Sequence, residues 1–296
     1  MASLTEQIKE LRERTGAGML DCKKALEANE FDIEKAIDWL REKGIAKATK
    51  KADRIAAEGL ATILVKDNDA VIVEINSETD FVAKNELFVE LVNKVAEALL
   101  TTKPKTVEEA LTTVYEGETI NDLIVNATAR IGEKITLRRF EILTKKEEDQ
   151  FGSYIHMGGK IAALTVLENT DNAEVAKDIA MQVAASNPQY LSIATVEPDF
   201  LEKEKHIQLE AVKNDPALAN KPEQALAKIV EGKVNKTLKE ICLLEQVFIK
   251  QSDLTVAKYV ANNNTNVVTF VRYHVGEGMQ KREDNFAEEV MNQLKK

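Results

Sequence analysis

The chain of 296 residues has few of the side chains that most often bind metals or carry out catalysis. It contains 3 histidines and 2 cysteines, and they form no Cys-x-x-Cys or His-Glu-x-x-His spacing. Because structural and catalytic zinc sites need several such ligands close together, the sequence predicts no metal site and no cofactor. The isolated pair Cys22 and Cys242 favours reduced thiols over a disulfide framework.

The sequence also has no apolar N-terminal segment of the kind that predicts a leader peptide, no long apolar run and no excess of positive charge. Its first ten residues are amphipathic and charged, and no apolar stretch approaches the roughly 20 residues that cross a bilayer. We therefore expect a cytoplasmic protein without membrane contact. The net charge is −10 and only 5% of the residues are aromatic, which disfavours direct binding to nucleic acid.

With 12 glycines and 5 prolines, the chain has few helix breakers, and its length indicates two domains with a smaller module attached. Residues 1–45 have the apolar spacing of three short helices. The first ends at Gly16, and the third starts after the N-cap Asp32. The second is predicted to carry Leu20 (or Met19), Cys22 (or Lys23) and Leu26 on its inner face. Such a bundle has a core too small to be stable alone, so we expect it to dock on a larger body.

The next segment, residues 46–57, is predicted to be a linker. Its alanine-rich first part carries Lys47, Lys50, Lys51 and Arg54. No aromatic residue interleaves these charges, so a solvated connecting helix is favoured over a nucleic-acid-binding patch.

Two α+β core subdomains with antiparallel sheets are predicted from an internal duplication of pattern. Each copy has two strands joined by a turn, then a helix, and a distant closing strand. In the strand 70–76, Ile72, Glu74 and Asn76 alternate with apolar residues, which indicates a half-buried strand. The first subdomain is placed at 58–145 and the second at 151–197 with 242–275. The polar run Lys145 to Gln150 is interpreted as a solvated link between them.

A helical insertion interrupts the second subdomain at 198–241. Two narrow apolar stripes, broken near Pro216 and Pro222, predict a protruding antiparallel hairpin of the coiled-coil type. Its mixed charges suit a protein contact, and the sequence leaves open whether it mediates self-association.

No recurring catalytic device occurs in an adequate context. Gly16-Ala17-Gly18 and Gly276-Glu277-Gly278 lack the third glycine of a dinucleotide site, and Gly158-Gly159-Lys160 lacks the rest of a phosphate-binding loop. His156 could act as a general base, but a lone histidine is more often a structural or contact residue. The sequence therefore favours a protein that is not an enzyme.

One polar loop departs from this pattern. After the strand that ends near residue 76, Thr79-Asp80-Phe81-Val82-Ala83-Lys84-Asn85 places an aromatic residue beside a carboxylate just before a helix. Phe81 could pack back on that helix as a hydrophobic staple. Alternatively, it could be presented at the surface, as an interface hot spot is. The residues alone leave both possibilities open.

This loop is one of several long motifs that occur in a distinctive order. The others are Leu11-Arg12-Glu13-Arg14-Thr15-Gly16-Ala17-Gly18-Met19, Asp21-Cys22-Lys23-Lys24-Ala25-Leu26, Ile131-Gly132-Glu133, His156 with Gly158-Gly159, and Val275-Gly276-Glu277-Gly278. Together they resemble the bacterial elongation factor Ts family, the nucleotide-exchange factors of elongation factor Tu, over essentially the whole chain. Three positions depart from frequent family residues: Lys160 replaces arginine, Ala162 replaces glycine, and Val247 replaces proline.

The resemblance implies that the N-terminal bundle is UBA-like and that residues 276–296 form a C-terminal module. It also implies that the chain binds elongation factor Tu in its GDP-bound and nucleotide-free forms. It implies that a segment of four residues intrudes into the GTPase domain and displaces the Mg²⁺ that bridges GDP to the protein, so that GDP leaves and GTP can bind. These residues are Asp80, Phe81, Val82 and Ala83. It further implies partner contacts at Arg12, Met19, Leu20, Ile131 and Gly132, with His156 on an anchoring side.

Two other functions compete with exchange. An RNA-associated or ribosome-associated factor would use the basic side chains Lys47, Lys50, Lys51, Arg54, Arg138 and Arg139. A small-molecule enzyme would use His156 and would need a pocket that the sequence does not indicate.

Overall fold

The computed structural model describes residues 3–218 and 221–280, and it has the expected α+β architecture. The chain divides into two compact units. The first comprises the chain up to Leu143, the short stretch Met157–Ile161 and the chain from Tyr273 onward. The second comprises Thr144–His156 and Ala162–Arg272. Of the C-terminal module expected at 276–296, residues 281–296 lie outside the described part.

A three-helix bundle begins the first unit, as the apolar spacing predicts. Its helices are α1 (Leu4–Thr15), α2 (Met19–Ala28) and α3 (Ile33–Thr49). Asp32 caps α3, because its carboxylate accepts the backbone N–H of Lys35 at 3.1 Å. The buried core is as small as expected: Leu11, Cys22, Ala25, Leu26 and Ala36.

Two details of the predicted bundle are wrong. On α2, Cys22 and Leu26 are buried as predicted, together with Ala25, but Met19 and Leu20 are both exposed because they lie off this face. In addition, α3 continues to Thr49, so the boundary expected after residue 45 falls inside a helix. Alanine and lysine favour helix, and no glycine or proline interrupts 46–49.

The first unit contains a three-stranded sheet in the order β1-β2-β5. Strands β1 (Glu58–Lys66) and β2 (Asp69–Ser77) form the predicted antiparallel hairpin, and β5 (Thr136–Thr144) covers the other edge of β2. The expectation of a half-buried β2 is wrong, because Ile72, Glu74 and Asn76 are as buried as the residues between them. A central strand covered on both faces therefore carries a buried carboxylate.

Between β2 and β5 the chain forms mostly helices. The elements are α4 (Asp80–Ala83), α5 (Glu86–Thr102), α6 (Val107–Thr112), β3 (Val114–Tyr115), β4 (Glu118–Thr119) and α7 (Ile120–Ile131). The first copy of the predicted pattern contained only one of these helices, the one that becomes α5. Helix α5 packs on β1 and β2, and its residues Phe88, Val95 and Leu99 are fully buried in the core.

Helix α7 is the surface on which the N-terminal bundle docks. Helix α3 packs along it, and Arg41 Nη2 contacts Asp122 Oδ1 at 2.8 Å. Asp122 also completes the capping box of α7, in which the Thr119 side chain accepts the Asp122 backbone N–H at 3.0 Å. The docking expected from the small bundle core is therefore present.

The second unit repeats the strand order of the first. Its sheet is β10-β7-β6, formed by β6 (Gln150–His156), β7 (Ile161–Leu167) and β10 (Val267–His274), with α8 (Ala173–Ser186) packed on β6. As in the first sheet, the second strand of the hairpin is central and the distant strand pairs with it. The predicted duplication of pattern is confirmed.

Helices α9 (Pro198–Lys213) and α10 (Glu223–Ile241) form the predicted hairpin and pack against each other. The buried residues lie on the two predicted stripes: Val212 on α9, and Val230, Val234 and Leu238 on α10. The short strands β8 (Val247–Phe248) and β9 (Gln251–Thr255) and the helix α11 (Val256–Asn262) lead on to β10.

The acidic run at residues 147–149 is not uniformly solvated, which corrects the expectation for that link. Asp149 is buried, and its carboxylate accepts the backbone N–H of Asn169 at 3.0 Å and that of Lys146 at 3.3 Å. Desolvation of a charged group is tolerated there because backbone donors take the place of water. Within residues 3–218 and 221–280, each helix is too short or too polar to cross a bilayer.

Candidate functional site

Phe81 and Asp80 lie on the one-turn helix α4, directly after the loop that follows β2. The Phe81 side chain is 79% exposed, the highest value among the exposed large apolar residues of the described chain. It therefore does not pack back on α5 as a staple. The structure instead presents an aromatic ring beside a carboxylate, which is the arrangement expected of an interface hot spot.

The next two residues have the opposite environment. Val82 and Ala83 are buried, and Val82 belongs to the apolar core that includes Phe88. The four residues singled out by resemblance therefore divide into two pairs. Asp80 and Phe81 can reach a partner, whereas Val82 and Ala83 fix α4 to its own unit.

The loop before α4 is tied to the segment that follows α7. One oxygen of the Glu133 carboxylate accepts the Thr79 backbone N–H at 2.9 Å, and the other accepts the Thr79 hydroxyl at 2.7 Å. In the reverse direction, Glu78 Oε1 accepts the Lys134 backbone N–H at 2.6 Å. Two carboxylates and two backbone amides thus cross-link residues 78–79 to residues 133–134.

The same segment also holds the chain that leaves α3. The Lys134 ammonium donates to the carbonyl of Arg54 at 2.9 Å, and the Lys51 ammonium donates to the carbonyl of Gly132. Arg54 Nη1 in turn contacts Glu78 Oε1 at 3.2 Å. Residues 132–134 therefore hold both the loop before α4 and the connection to the N-terminal bundle.

Asp80 is charged and paired at its own helix. The Lys84 ammonium donates to Asp80 Oδ2 at 3.0 Å and, together with the more distant charge of Lys160, holds the pKa of Asp80 below its ordinary value. Lys160 itself forms an ion pair with Glu58. An anionic carboxylate thus stands beside the exposed ring at neutral pH.

The other residues that the resemblance selects in the first unit have mixed environments. Arg12, Met19 and Leu20 are exposed, with Met19 at 60% and Leu20 at 73%. Ile131 packs against the core, and Gly132 is the left-handed C-cap of α7 with φ 89°. Met19 and Leu20 can therefore form an apolar contact, whereas Ile131 mainly supports the segment that holds the loop.

His156 lies at the end of β6 in the second unit, where it is exposed. Its ring stacks on Tyr154 with centroids 5.8 Å apart, and the Tyr154 hydroxyl is 3.2 Å from His156 Nδ1. No carboxylate or nucleophile is among these contacts. The geometry supports a surface contact residue better than a general base.

Most of the basic side chains considered for RNA binding have intramolecular partners. Lys47 contacts Asp21 at 3.0 Å, Lys51 and Arg54 bind as described above, and Arg138 and Arg139 contact Glu74 at 2.9 and 2.7 Å. Five of the six are thus bonded within the protein. Lys47, Lys50 and Arg54 are nevertheless exposed, in agreement with the predicted solvated connecting helix. The intramolecular bonds make the basic side chains less available to RNA phosphates.

Sequence reasoning identified Asp80 and Phe81 but gave no role to Glu133, Glu78 or Lys134. The motif Ile131-Gly132-Glu133 contained the signal, because glycine in a C-cap position marks the end of α7 and puts Glu133 in an irregular segment. In the described part of the chain, no three His, Cys, Asp or Glu side chains come together in a way that could hold a metal ion.

Comparison with known families gives one match. Residues 78–277 match the family model described as Elongation factor TS, which covers about two thirds of the chain. The matched range begins at Glu78, two residues before α4, and ends at Glu277, in the turn that follows β10. It includes β5 of the first sheet, the whole second sheet and the helical hairpin, whereas β1 and β2 precede it.

Proposed function

The chain belongs to the elongation factor Ts family, and from this premise we propose that its Asp80–Phe81 tip drives the release of GDP from elongation factor Tu. The family consists of nucleotide-exchange factors for elongation factor Tu, so the activity is exchange of a bound ligand and not a bond-breaking reaction. Elongation factor Tu is accordingly the partner. The observation that carries the proposal is the exposed Phe81 ring on a firmly anchored helix.

The proposed mechanism is displacement of the partner's Mg²⁺. Mg²⁺ requires near-ideal octahedral geometry at about 2.1 Å and is held largely by phosphate and water oxygens. Insertion of a rigid ring beside such a site shifts the groups that surround the ion and weakens its binding. Once the ion leaves, the phosphates of GDP lose much of their charge compensation, and the nucleotide dissociates.

Thermodynamic linkage completes the cycle. If this factor lowers the affinity of elongation factor Tu for GDP, then nucleotide lowers the affinity for this factor by the same ratio. Binding of GTP therefore releases the factor. We assign Met19, Leu20 and Arg12 to the same contact as the tip, and His156 to a second, anchoring contact.

The test is Phe81→Ala in stopped-flow release of a fluorescent GDP from elongation factor Tu. Stimulated release should fall by about tenfold or more, the size expected when an aromatic hot spot is truncated. Phe31→Ala, which removes another exposed phenylalanine, is the matched control and should leave release unchanged. Equal rates for Phe81→Ala and the unmodified protein would overturn the proposed role of the tip.

A second measurement addresses the ion. Chelation of Mg²⁺ removes the step that the tip is proposed to perform, so the difference between Phe81→Ala and the unmodified protein should shrink when release is measured in EDTA. If the difference stays the same at every Mg²⁺ concentration, Phe81 acts on GDP release by another route.

A further inference from the structure

We infer that Glu133 is a positioning residue for exchange, because its carboxylate orients the Asp80–Phe81 tip through Thr79. This inference rests on the proposed function, since it concerns how the same tip is aimed. Glu133 touches neither Asp80 nor Phe81 in the bonds described above. Its effect must therefore pass through the backbone.

The bonds of Glu133 are placed at the start of the helix that carries the tip. Its two oxygens accept the backbone N–H and the hydroxyl of Thr79 at 2.9 and 2.7 Å. Thr79 is the N-cap of α4, and its hydroxyl oxygen is 3.4 Å from the backbone nitrogen of Val82. Hydrogen bonds to a carboxylate are shorter and stronger than neutral ones, so this pair is a firm attachment.

Helix α4 needs such an attachment because it is only four residues long. One isolated turn is unstable, since nucleation fixes several residues for a single hydrogen bond. Burial of Val82 and Ala83 holds the inner side of the turn. Glu133 holds its leading end, so loss of this bond lets the turn pivot about its buried residues and moves the Phe81 ring.

A second bond, between Glu78 and Lys134, fixes the orientation of this attachment. Glu78 accepts the Lys134 backbone N–H at 2.6 Å, while Glu133 accepts that of Thr79. Two bonds that run in opposite directions between neighbouring pairs of residues restrict rotation as well as distance. The tip is thus held in one orientation before any partner is present.

The role predicted for Glu133 differs from a general contribution to folding. Thr79 and Glu133 are only partly buried, and neither belongs to the apolar core of the unit. Their bond should therefore affect the step that needs an oriented ring more than it affects stability. Loss of this bond should therefore lower the maximal rate of GDP release. The factor concentration that gives half of the maximal rate should stay the same.

The experiment uses the full chain and elongation factor Tu loaded with a fluorescent GDP, with the factor concentration varied. Glu133→Gln keeps the size of the side chain but removes its charge and one acceptor, and Thr79→Val removes the hydroxyl. Thr79→Ser keeps the hydroxyl. Glu118→Gln, which alters an exposed carboxylate 3.9 Å from Lys94, is the control for lost charge.

We expect Glu133→Gln and Thr79→Val each to lower the maximal release rate about fivefold, with less than a twofold change in the half-saturating concentration. The losses in the double variant should be less than multiplicative, because both changes act on the same pair of residues, although the backbone N–H of Thr79 remains as a donor in Thr79→Val. Thr79→Ser and Glu118→Gln should match the unmodified protein. Melting followed by circular dichroism should shift by no more than a few degrees in any of these variants, the size expected for loss of one cap or one partly exposed hydrogen bond.

Three results would overturn the inference. One is an unchanged maximal rate in Glu133→Gln, another is losses that multiply in the double variant, and the third is a lowered melting temperature that accounts for the slower release. Phe81→Ala distinguishes failure of the role inferred for Glu133 from failure of the proposed function of the tip. If Phe81→Ala is slow and Glu133→Gln is not, only the role of Glu133 fails. If Phe81→Ala is not slow, the proposed function of the tip fails first.

Discussion

Arg139 and Glu74 form an ion pair of 2.7 Å in which the carboxylate is fully buried and the guanidinium remains partly exposed. Glu74 also accepts Arg138 Nη1 and the backbone N–H of Gly276, both at 2.9 Å. Arg139 lies over the ring of Tyr273, 4.2 Å from its centroid. Through these bonds, one side chain of β2 connects β5 with the turn that follows β10.

Glu74→Gln should destabilise the protein strongly. The variant leaves two guanidinium groups without their buried counter-charge, and breaking one side of such a pair costs about 3–5 kcal/mol. Urea unfolding followed by circular dichroism measures the loss. Glu116→Gln, which changes an exposed carboxylate 3.5 Å from Lys94, should cost less than about 1 kcal/mol.

Glu74→Gln should also change how the free energy of unfolding depends on pH in acid. Burial alone raises the pKa of Glu74, but the Gly276 N–H and the two arginines outweigh it, and the pKa is lowered overall. A carboxylate with a lowered pKa in the folded state stabilises the fold above its ordinary pKa of 4.5 and loses this effect as the pH falls. The difference in free energy of unfolding between the two proteins should therefore shrink below about pH 4.5. A difference that stays constant down to pH 3 would contradict this account.

Gly276→Ala should be far more damaging than Gly278→Ala. Both glycines have positive φ, at 74° and 71°, so both substitutions carry a similar backbone cost of about 1 kcal/mol. A Cβ at Gly276 would in addition lie 2.2 Å from the carbonyl oxygen of Ala57, whereas nothing lies within 4 Å at Gly278. The overlap adds about 1–3 kcal/mol. Equal melting temperatures for the two variants would show that the turn moves without cost.

Met19→Ala combined with Leu20→Ala should weaken binding of elongation factor Tu without slowing release at saturation. Both side chains are exposed, so their removal leaves the small core of the bundle intact. A contact that is equally strong before and during GDP release contributes to binding of the partner but not to the release rate. Its removal therefore acts like a loss of uniform binding in an enzyme, which raises KM and leaves kcat unchanged. The half-saturating concentration should rise about tenfold in the stopped-flow assay. Leu4→Ala, which also removes an exposed apolar residue of the bundle, is the control.

Tyr259→Phe should reduce stability at neutral pH and lose this effect in strong alkali. Burial, together with the hydrogen bond to Asp178 at 2.9 Å, raises the pKa of Tyr259 to about 12. A group whose pKa is raised on folding stabilises the fold below its ordinary pKa of 10.0 and loses that contribution as the pH rises towards 12. Unfolding measured between pH 8 and pH 12 should show the two proteins converging. Parallel curves would mean that Tyr259 stabilises the fold by packing on Phe248 alone.

The regular elements could largely be predicted from the sequence. The hairpin β1–β2, helix α8 and the stripes of α9 and α10 follow from period and turn residues, and the structure has them within a few residues of the expected bounds. Helix α7 was missed although Thr119 and Asp122 have the spacing of a capping box. The error at Leu20 has a different cause, since two adjacent apolar residues at the start of a helix do not show which one points inward.

The site could be predicted only in part. The position of Phe81 follows from the sequence, but its exposure does not, because a staple and a presented ring have the same local pattern. The bonds between Thr79 and Glu133 join residues far apart in the chain, and no local spacing indicates them. Likewise, the sequence favoured a solvated connecting helix near Lys51 but did not indicate the partners of its basic side chains, which are Asp21, Gly132 and Glu78.

The cross-link of residues 78–79 to residues 133–134 has a consequence for the timing of exchange. A loop that orders itself only on a partner adds an entropic cost to association and slows productive encounters. Here the loop is already ordered, so an encounter needs only the correct relative orientation of two surfaces. None of the contact energy is then spent on ordering the loop, so all of it is left for the interaction between the two surfaces.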